Sequence, residues 1–76
     1  MSYIYYVSNQ EGDIAHTRSR ASAIRSARAA HRRGLNLITI ECYDGEYHGS
    51  GGNIRYILDF DGKRFHSRKD LTWGTL

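Results

Sequence analysis

The sequence predicts an α+β fold in which one helix packs on one face of an antiparallel sheet of four to five strands. Three segments rich in β-branched and aromatic residues, 2–8, 35–43 and 54–60, have the composition of strands. One alanine-rich segment between them, residues 20–33, repeats its apolar residues with the period of a helix. The predicted order is ββαβββ, and 76 residues suffice for one domain, 1–76, with a C-terminal tail over 67–76.

The first seventeen residues predict a β-hairpin. Residues 2–8, SYIYYVS, are β-branched and aromatic, as expected of a pleated surface. Residues 9–13, NQEGD, carry the small and polar residues that favour a turn. Residues 14–17, IAHT, are therefore expected to return antiparallel to the first strand.

The helix has a signal at each end. Ser19 is an N-cap candidate because its hydroxyl can accept a hydrogen bond from a free amide of the first turn. Gly34 suits the left-handed position that follows a helix. Between them, the residues expected on the buried side are Ala23, Ile24, Ala27, Ala30 and His31. Arg25, Arg28 and Arg32 fall on the opposite side.

The second half of the chain predicts three strands. Residues 35–43 form the central one, with Ile38, Ile40 and Cys42 on one face and Leu37, Thr39, Glu41 and Tyr43 on the other. Asp61-Gly62 predicts a two-residue turn after residues 54–60, which pairs Leu58 with Phe65 on the core face and Asp59 with Arg64 as an ion pair. We expect Trp73 to fold back onto a sheet edge, and some aromatic side chains to be exposed on the face without a helix.

Positive charge is concentrated on the helix. Six of the eleven basic residues lie between positions 18 and 33, and none of the eight acidic residues does. Like charges three and four residues apart, and cations at a helix N-terminus, are locally unfavourable. Two interpretations remain open: a solvated face, neutralised by Glu11, Asp13 or Glu41, or a docking surface for a negatively charged partner.

Catalytic and metal-site patterns are weak. The four histidines are scattered without metal-ligand spacing. Cys42 is the one cysteine in the sequence, as is typical of proteins in a reducing cytosol. We expect it to be a small buried residue. Asp59 with His66, or Glu46 with His48, are the acid–base pairs that could be drawn. The glycines at 49–52 lead into a strand, whereas a phosphate-binding loop opens a helix. We predict no catalytic residue, metal or cofactor, and no segment that spans a membrane.

The layout resembles a family of inhibitors. ASAIRSARAAHRRG followed by LNLITIECYDG, GSGGNIRYIL and DGKRF looks like the small phage-encoded anti-CRISPR proteins that inhibit type I systems, over residues 3–66. The resemblance implies a non-enzymatic inhibitor in the host bacterial cytosol, which binds the Cas subunits of a surveillance complex and blocks target DNA recognition or cleavage. The basic helix departs from the acidic, DNA-mimicking members, and it favours contact with an acidic protein surface or bound nucleic acid.

The residues expected to bind the partner are Arg25, Arg28, Arg32 and Arg33 as the electrostatic anchor, with Tyr47 and the glycine loop as secondary contacts. The alternative function is a small nucleic-acid-binding accessory protein, which would use the same helix on phosphates. Steep salt dependence of binding to naked DNA or RNA would distinguish this alternative.

Overall fold

A five-stranded antiparallel sheet and one helix make up the part of the chain, residues 3–44 and 53–68, that the computed structural model describes. The elements are β1 (Tyr3–Asn9), β2 (Gly12–Thr17), α1 (Arg20–Arg32), β3 (Thr39–Asp44), β4 (Asn53–Phe60) and β5 (Phe65–Ser67). The strands lie in the order β2-β1-β3-β4-β5, with every neighbouring pair antiparallel. The predicted α+β class, the ββαβββ order and the central place of β3 are confirmed. Tyr47, the glycine loop and Trp73 lie outside the described residues.

Both predicted ends of α1 are confirmed. The hydroxyl of Ser19 accepts a hydrogen bond from the amide of Ser22 at 3.2 Å. Gly34 has φ 100°, its amide donates to the carbonyl of His31, and the amide of Leu35 donates to the carbonyl of Ala30. This pair of bonds is the Schellman motif, which satisfies carbonyls that the last helical turn leaves free.

The core lies between α1 and the sheet. The fully buried residues of α1 are all alanines: Ala23, Ala27 and Ala30. Opposite them the sheet side supplies the larger apolar side chains, among them Val7, Ile38, Ile40 and Cys42. The predicted core face of residues 38, 40 and 42 is therefore confirmed. His31, which the helical period places on the inner side, lies at its exposed edge, where its ring meets that of Phe60 edge-on at 5.5 Å.

The predicted third strand begins four residues too early. β3 starts at Thr39, because the Schellman motif turns the chain and Leu37 then takes the left-handed backbone conformation, φ 58°. A regular extended strand does not continue through such a residue. The carbonyl of Ile38 still accepts a hydrogen bond from the amide of Phe60, so the chain joins the sheet immediately after Leu37.

The predicted register of the last hairpin is wrong. Phe60 pairs with Phe65 and Asp59 with His66, so the partners are shifted by two residues from the predicted ones. Because side chains alternate with a period of two, this shift leaves each residue on its predicted face. The predicted Leu58–Phe65 pair and Asp59–Arg64 ion pair do not form; Leu58 lies opposite Ser67.

Two interactions account for this register. The carboxylate of Asp61 accepts hydrogen bonds from the amides of Lys63 at 2.8 Å and Arg64 at 2.7 Å, which places Asp61 before the turn rather than inside it. The rings of Phe60 and Phe65 stack with centroids 4.4 Å apart. The guanidinium of Arg68, rather than Arg64, bonds Asp59, with its Nε 3.0 Å from the carboxylate.

The sheet face away from α1 carries aromatic side chains, as predicted, but they are half-buried. The rings of Tyr6 and Tyr43 meet at right angles with centroids 5.6 Å apart, and Tyr6 also contacts His16. The hydroxyl of Tyr43 donates to the carboxylate of Glu41 at 3.2 Å. These contacts join side chains of β1, β2 and β3 across this face.

Candidate docking surface

The outward side of α1 and its C-terminal end expose four arginines, Arg25, Arg28, Arg32 and Arg33, which we call the arginine face. None of them forms an ion pair with a carboxylate anywhere in residues 3–44 and 53–68. The first turn of α1 likewise contains no acidic residue. Within that part of the chain, Glu11, Asp13 and Glu41 therefore form no ion pair with these four arginines.

Two of these arginines hold quite different positions. The Nη2 of Arg25 donates to the hydroxyl of Ser22 within the helix at 3.0 Å. The guanidinium carbon of Arg28 instead lies 5.5 Å from the ring centroid of Phe60 and 5.3 Å from that of Phe65, and its Nη1 lies 3.4 Å from the carbonyl of Lys63. The two distances to ring centroids are in the cation–π range, so the side chain of Arg28 connects α1 to the β4–β5 hairpin. No pattern in the sequence indicates this contact, because it depends on the true register of the hairpin.

Arg32 and Arg33 lie where the helix favours them. Both are exposed, and Arg33 is the C-cap, with its amide directed back to the carbonyls of Ala29 and Ala30. The negative end of the helix dipole stabilises cations in the last turn. Charge on Arg32 and Arg33 is therefore less costly to the fold than charge on Arg25.

A pocket of about 200 Å3 opens at the C-terminal end of α1. We call it the helix-end pocket, and its lining residues are His31, Asn36, Leu37, Ile38, Phe60, Asp61 and Gly62. Leu37 is 64% exposed, which makes it the exposed large hydrophobic residue of the described chain. Gly62 has φ 101°, and a Cβ at this position would lie 3.1 Å from Nε2 of His31, so the turn backbone closely approaches the imidazole. The lining comes from separate segments, which is why no sequence motif predicted the pocket.

Asp61 is the carboxylate with the most ordered surroundings. The amide of Arg64, the ring of His66 at 2.7 Å and the amide of Lys63 together hold the pKa of Asp61 well below its usual range. Asp59 and His66, an acid–base pair that could be drawn from the sequence, lie opposite each other in β4 and β5, but His66 bonds Asp61 and Asp59 bonds Arg68. The other such pair, Glu46 with His48, lies outside the described residues. Asp61 is exposed and already accepts three hydrogen bonds, so its geometry is that of a turn-stabilising residue.

Cys42 lies in the core beneath α1, and Tyr56, which is half-buried, packs against that core. Cys42 is 1% exposed, in agreement with its predicted place as a small buried residue. Burial raises the pKa of the Tyr56 hydroxyl, and side-chain hydrogen bonds with Cys42 and Tyr5 raise it further. A neutral phenol in this position contributes packing and hydrogen bonding to the core. Within the described ranges, no group of three or more His, Cys, Asp or Glu side chains is arranged to hold a metal ion.

Comparison with protein-family models, curated proteins and solved structures found no match to this chain. The resemblance to type I anti-CRISPR proteins therefore stays a prediction. Among residues 3–44 and 53–68, no helix has the length and apolar character needed to cross a membrane.

Proposed function

We propose that this protein is a non-enzymatic inhibitor that docks its arginine face on an acidic surface of a type I CRISPR surveillance complex. The observation that carries the proposal is the set of four exposed arginines without an ion-pair partner in the described chain. The resemblance in layout to phage-encoded anti-CRISPR proteins supplies the class of partner.

The arrangement of charge suits an external partner. Arg25 and Arg28 are three residues apart and Arg28 and Arg32 four apart, so each pair repels by about 0.2–0.5 kcal/mol. Carboxylates of a partner would remove this repulsion, and guanidinium groups bind carboxylates with two parallel hydrogen bonds. The same charges would also increase the rate of association with an acidic surface.

A protein surface fits the neighbourhood of the arginine face better than nucleic acid does. Leu37 is an exposed apolar side chain, and the helix-end pocket beside His31 has an apolar floor. Phosphate contacts, which dominate affinity for nucleic acids, leave such apolar surface unused. Protein interfaces combine arginine with a buried apolar centre.

The test compares two double charge reversals of the same size. R25E with R32E reverses two of the four charges of the arginine face and leaves the structural contacts of Arg28 in place. Lys63→Glu with Arg64→Glu reverses two exposed hairpin residues and serves as the matched control. We expect the helix variant to bind a purified type I complex at least tenfold more weakly and to lose inhibition of target DNA binding, while the control keeps both.

Capture from a lysate of bacteria that carry CRISPR systems, with and without nuclease, separates the two functions. Recovery of Cas subunits that survives nuclease, and depends on Arg25 and Arg32, would support the inhibitor. Recovery of nucleic acid and its passengers, lost on nuclease treatment, would instead indicate the nucleic-acid-binding accessory protein. Equal inhibition by both double variants would contradict the proposal.

A further inference from the structure

Leu37 is unfavourable to the fold in two ways. Its φ of 58° is the left-handed conformation, which a leucine adopts only at a steric cost. Its side chain is 64% exposed, so this cost is not offset by burial in the core. Glycine or asparagine would fit the same backbone with less strain. Strained residues that persist in a fold are concentrated at binding and switching sites.

Leu37 stands at the rim of a pocket that has room for one side chain. The helix-end pocket is about 200 Å3, smaller than the roughly 300–1,000 Å3 of small-molecule sites. Ile38 and Phe60, both buried, give it an apolar floor, and the imidazole of His31 forms one wall. The carboxylate of Asp61 also lines the pocket, but it is already bonded to two amides and to His66.

Positive charge adjoins this apolar pocket. The guanidinium of Arg28 lies 5.5 Å from the ring centroid of Phe60, which belongs to the pocket floor. Arg32 and Arg33 directly follow His31 in the chain, and both are exposed. A ligand that places an apolar group in the pocket would therefore carry its negative charge most favourably towards the arginine face.

We propose that the helix-end pocket receives an apolar side chain from an acidic segment of a partner protein, with Leu37 packing against that side chain. The partner's carboxylates then contact the arginine face. This inference rests on the proposed function, since it describes the partner of that same face.

The first experiment uses an anionic, apolar probe that reproduces this chemistry, the dye 1-anilinonaphthalene-8-sulfonate. Fluorescence titration should give saturable binding with one site per chain, and amide chemical shifts should place the dye at Leu37, Ile38 and Gly62. Leu37→Asn tolerates the left-handed backbone and removes the apolar side chain, so it should weaken the dye at least about fivefold. L37M keeps an apolar side chain and should stay within about twofold of the parent.

Three results would overturn the inference: dye that does not saturate, dye that maps to the sheet face without a helix, or equal affinity in L37N and the parent. Urea unfolding supplies a further check, because removal of strain predicts that L37N is at least as stable as the parent. A clearly less stable L37N would show that Leu37 serves the fold.

Binding of a purified type I complex separates this inference from the proposed function. If the complex binds the parent and L37N equally, but not R25E with R32E, the pocket inference fails and the proposed function stands. If no type I complex binds the parent, the proposed function fails, and the dye titration alone decides whether the pocket takes an acidic, apolar ligand.

Discussion

Arg28 should stabilise the fold although it belongs to a face that we propose is used for docking. Replacement by glutamine removes the cation–π contacts with Phe60 and Phe65, at 5.5 and 5.3 Å, each worth about 0.5–1 kcal/mol at an exposed site. The same change relieves repulsion by Arg25 and Arg32 by a few tenths of a kcal/mol each. We therefore expect Arg28→Gln to lower the free energy of unfolding by about 0.5–1 kcal/mol.

Arg25→Gln is the matched control, because the guanidinium of Arg25 bonds Ser22 within the helix. Urea denaturation should place R25Q within about 0.5 kcal/mol of the parent, as is usual for exposed sites. A double-mutant cycle of R28Q with Phe65→Leu should give a coupling energy of about 0.5 kcal/mol or more. Equal stability of R25Q and R28Q, together with zero coupling to Phe65, would refute the assignment of this contact.

Four further substitutions test the fold. Gly34 and Gly62 share a φ near 100°, so alanine at either position should lower the free energy of unfolding in urea by about 1–2 kcal/mol. Gly62→Ala should cost more than Gly34→Ala, because its Cβ would lie 3.1 Å from the imidazole of His31. In a His31→Ala background this extra cost should disappear. Asp61→Asn should lower the free energy of unfolding at neutral pH. Because the folded-state pKa of Asp61 is lowered, the stability that its carboxylate adds is complete above about pH 4 and is lost as the pH falls further. A stability difference between the parent and D61N that does not shrink in acid would contradict this. Ile40→Ala, at a fully buried site, should cost about 2–5 kcal/mol, and a loss well below 1 kcal/mol would place Ile40 outside the core.

Local signals in the sequence predicted most of the fold. Ser19 and Gly34 delimit α1 because capping depends on the residue itself and on its near neighbours. The alternation of apolar residues placed Ile40 and Cys42 on the core face, because the direction of a side chain in a strand depends only on its position.

The sequence failed where a distant group or a side-chain acceptor decides the outcome. Asp61-Gly62 is a common two-residue turn, but here the carboxylate of Asp61 accepts hydrogen bonds from the amides of Lys63 and Arg64. The turn therefore lies one residue further along the chain than predicted. The left-handed backbone of Leu37 could not be predicted, because leucine rarely adopts it. The contact of Arg28 with Phe65 depends on that same shifted turn. It could not be predicted from the period of the helix, although that period placed Arg28 on the correct side of α1.

The alanines on the buried face of α1 have a consequence for the dynamics of the helix. Three buried methyl groups contribute about 0.8 kcal/mol each, and Ile24 is only half-buried, so the helix gains little from the core compared with the strands. Local opening of α1 should then require less free energy than global unfolding, and its amides should exchange with solvent before those of β1, β3 and β4. A partner that binds the outward side of α1 would hold the helix closed, so slowed amide exchange confined to α1 would be the signature of its binding.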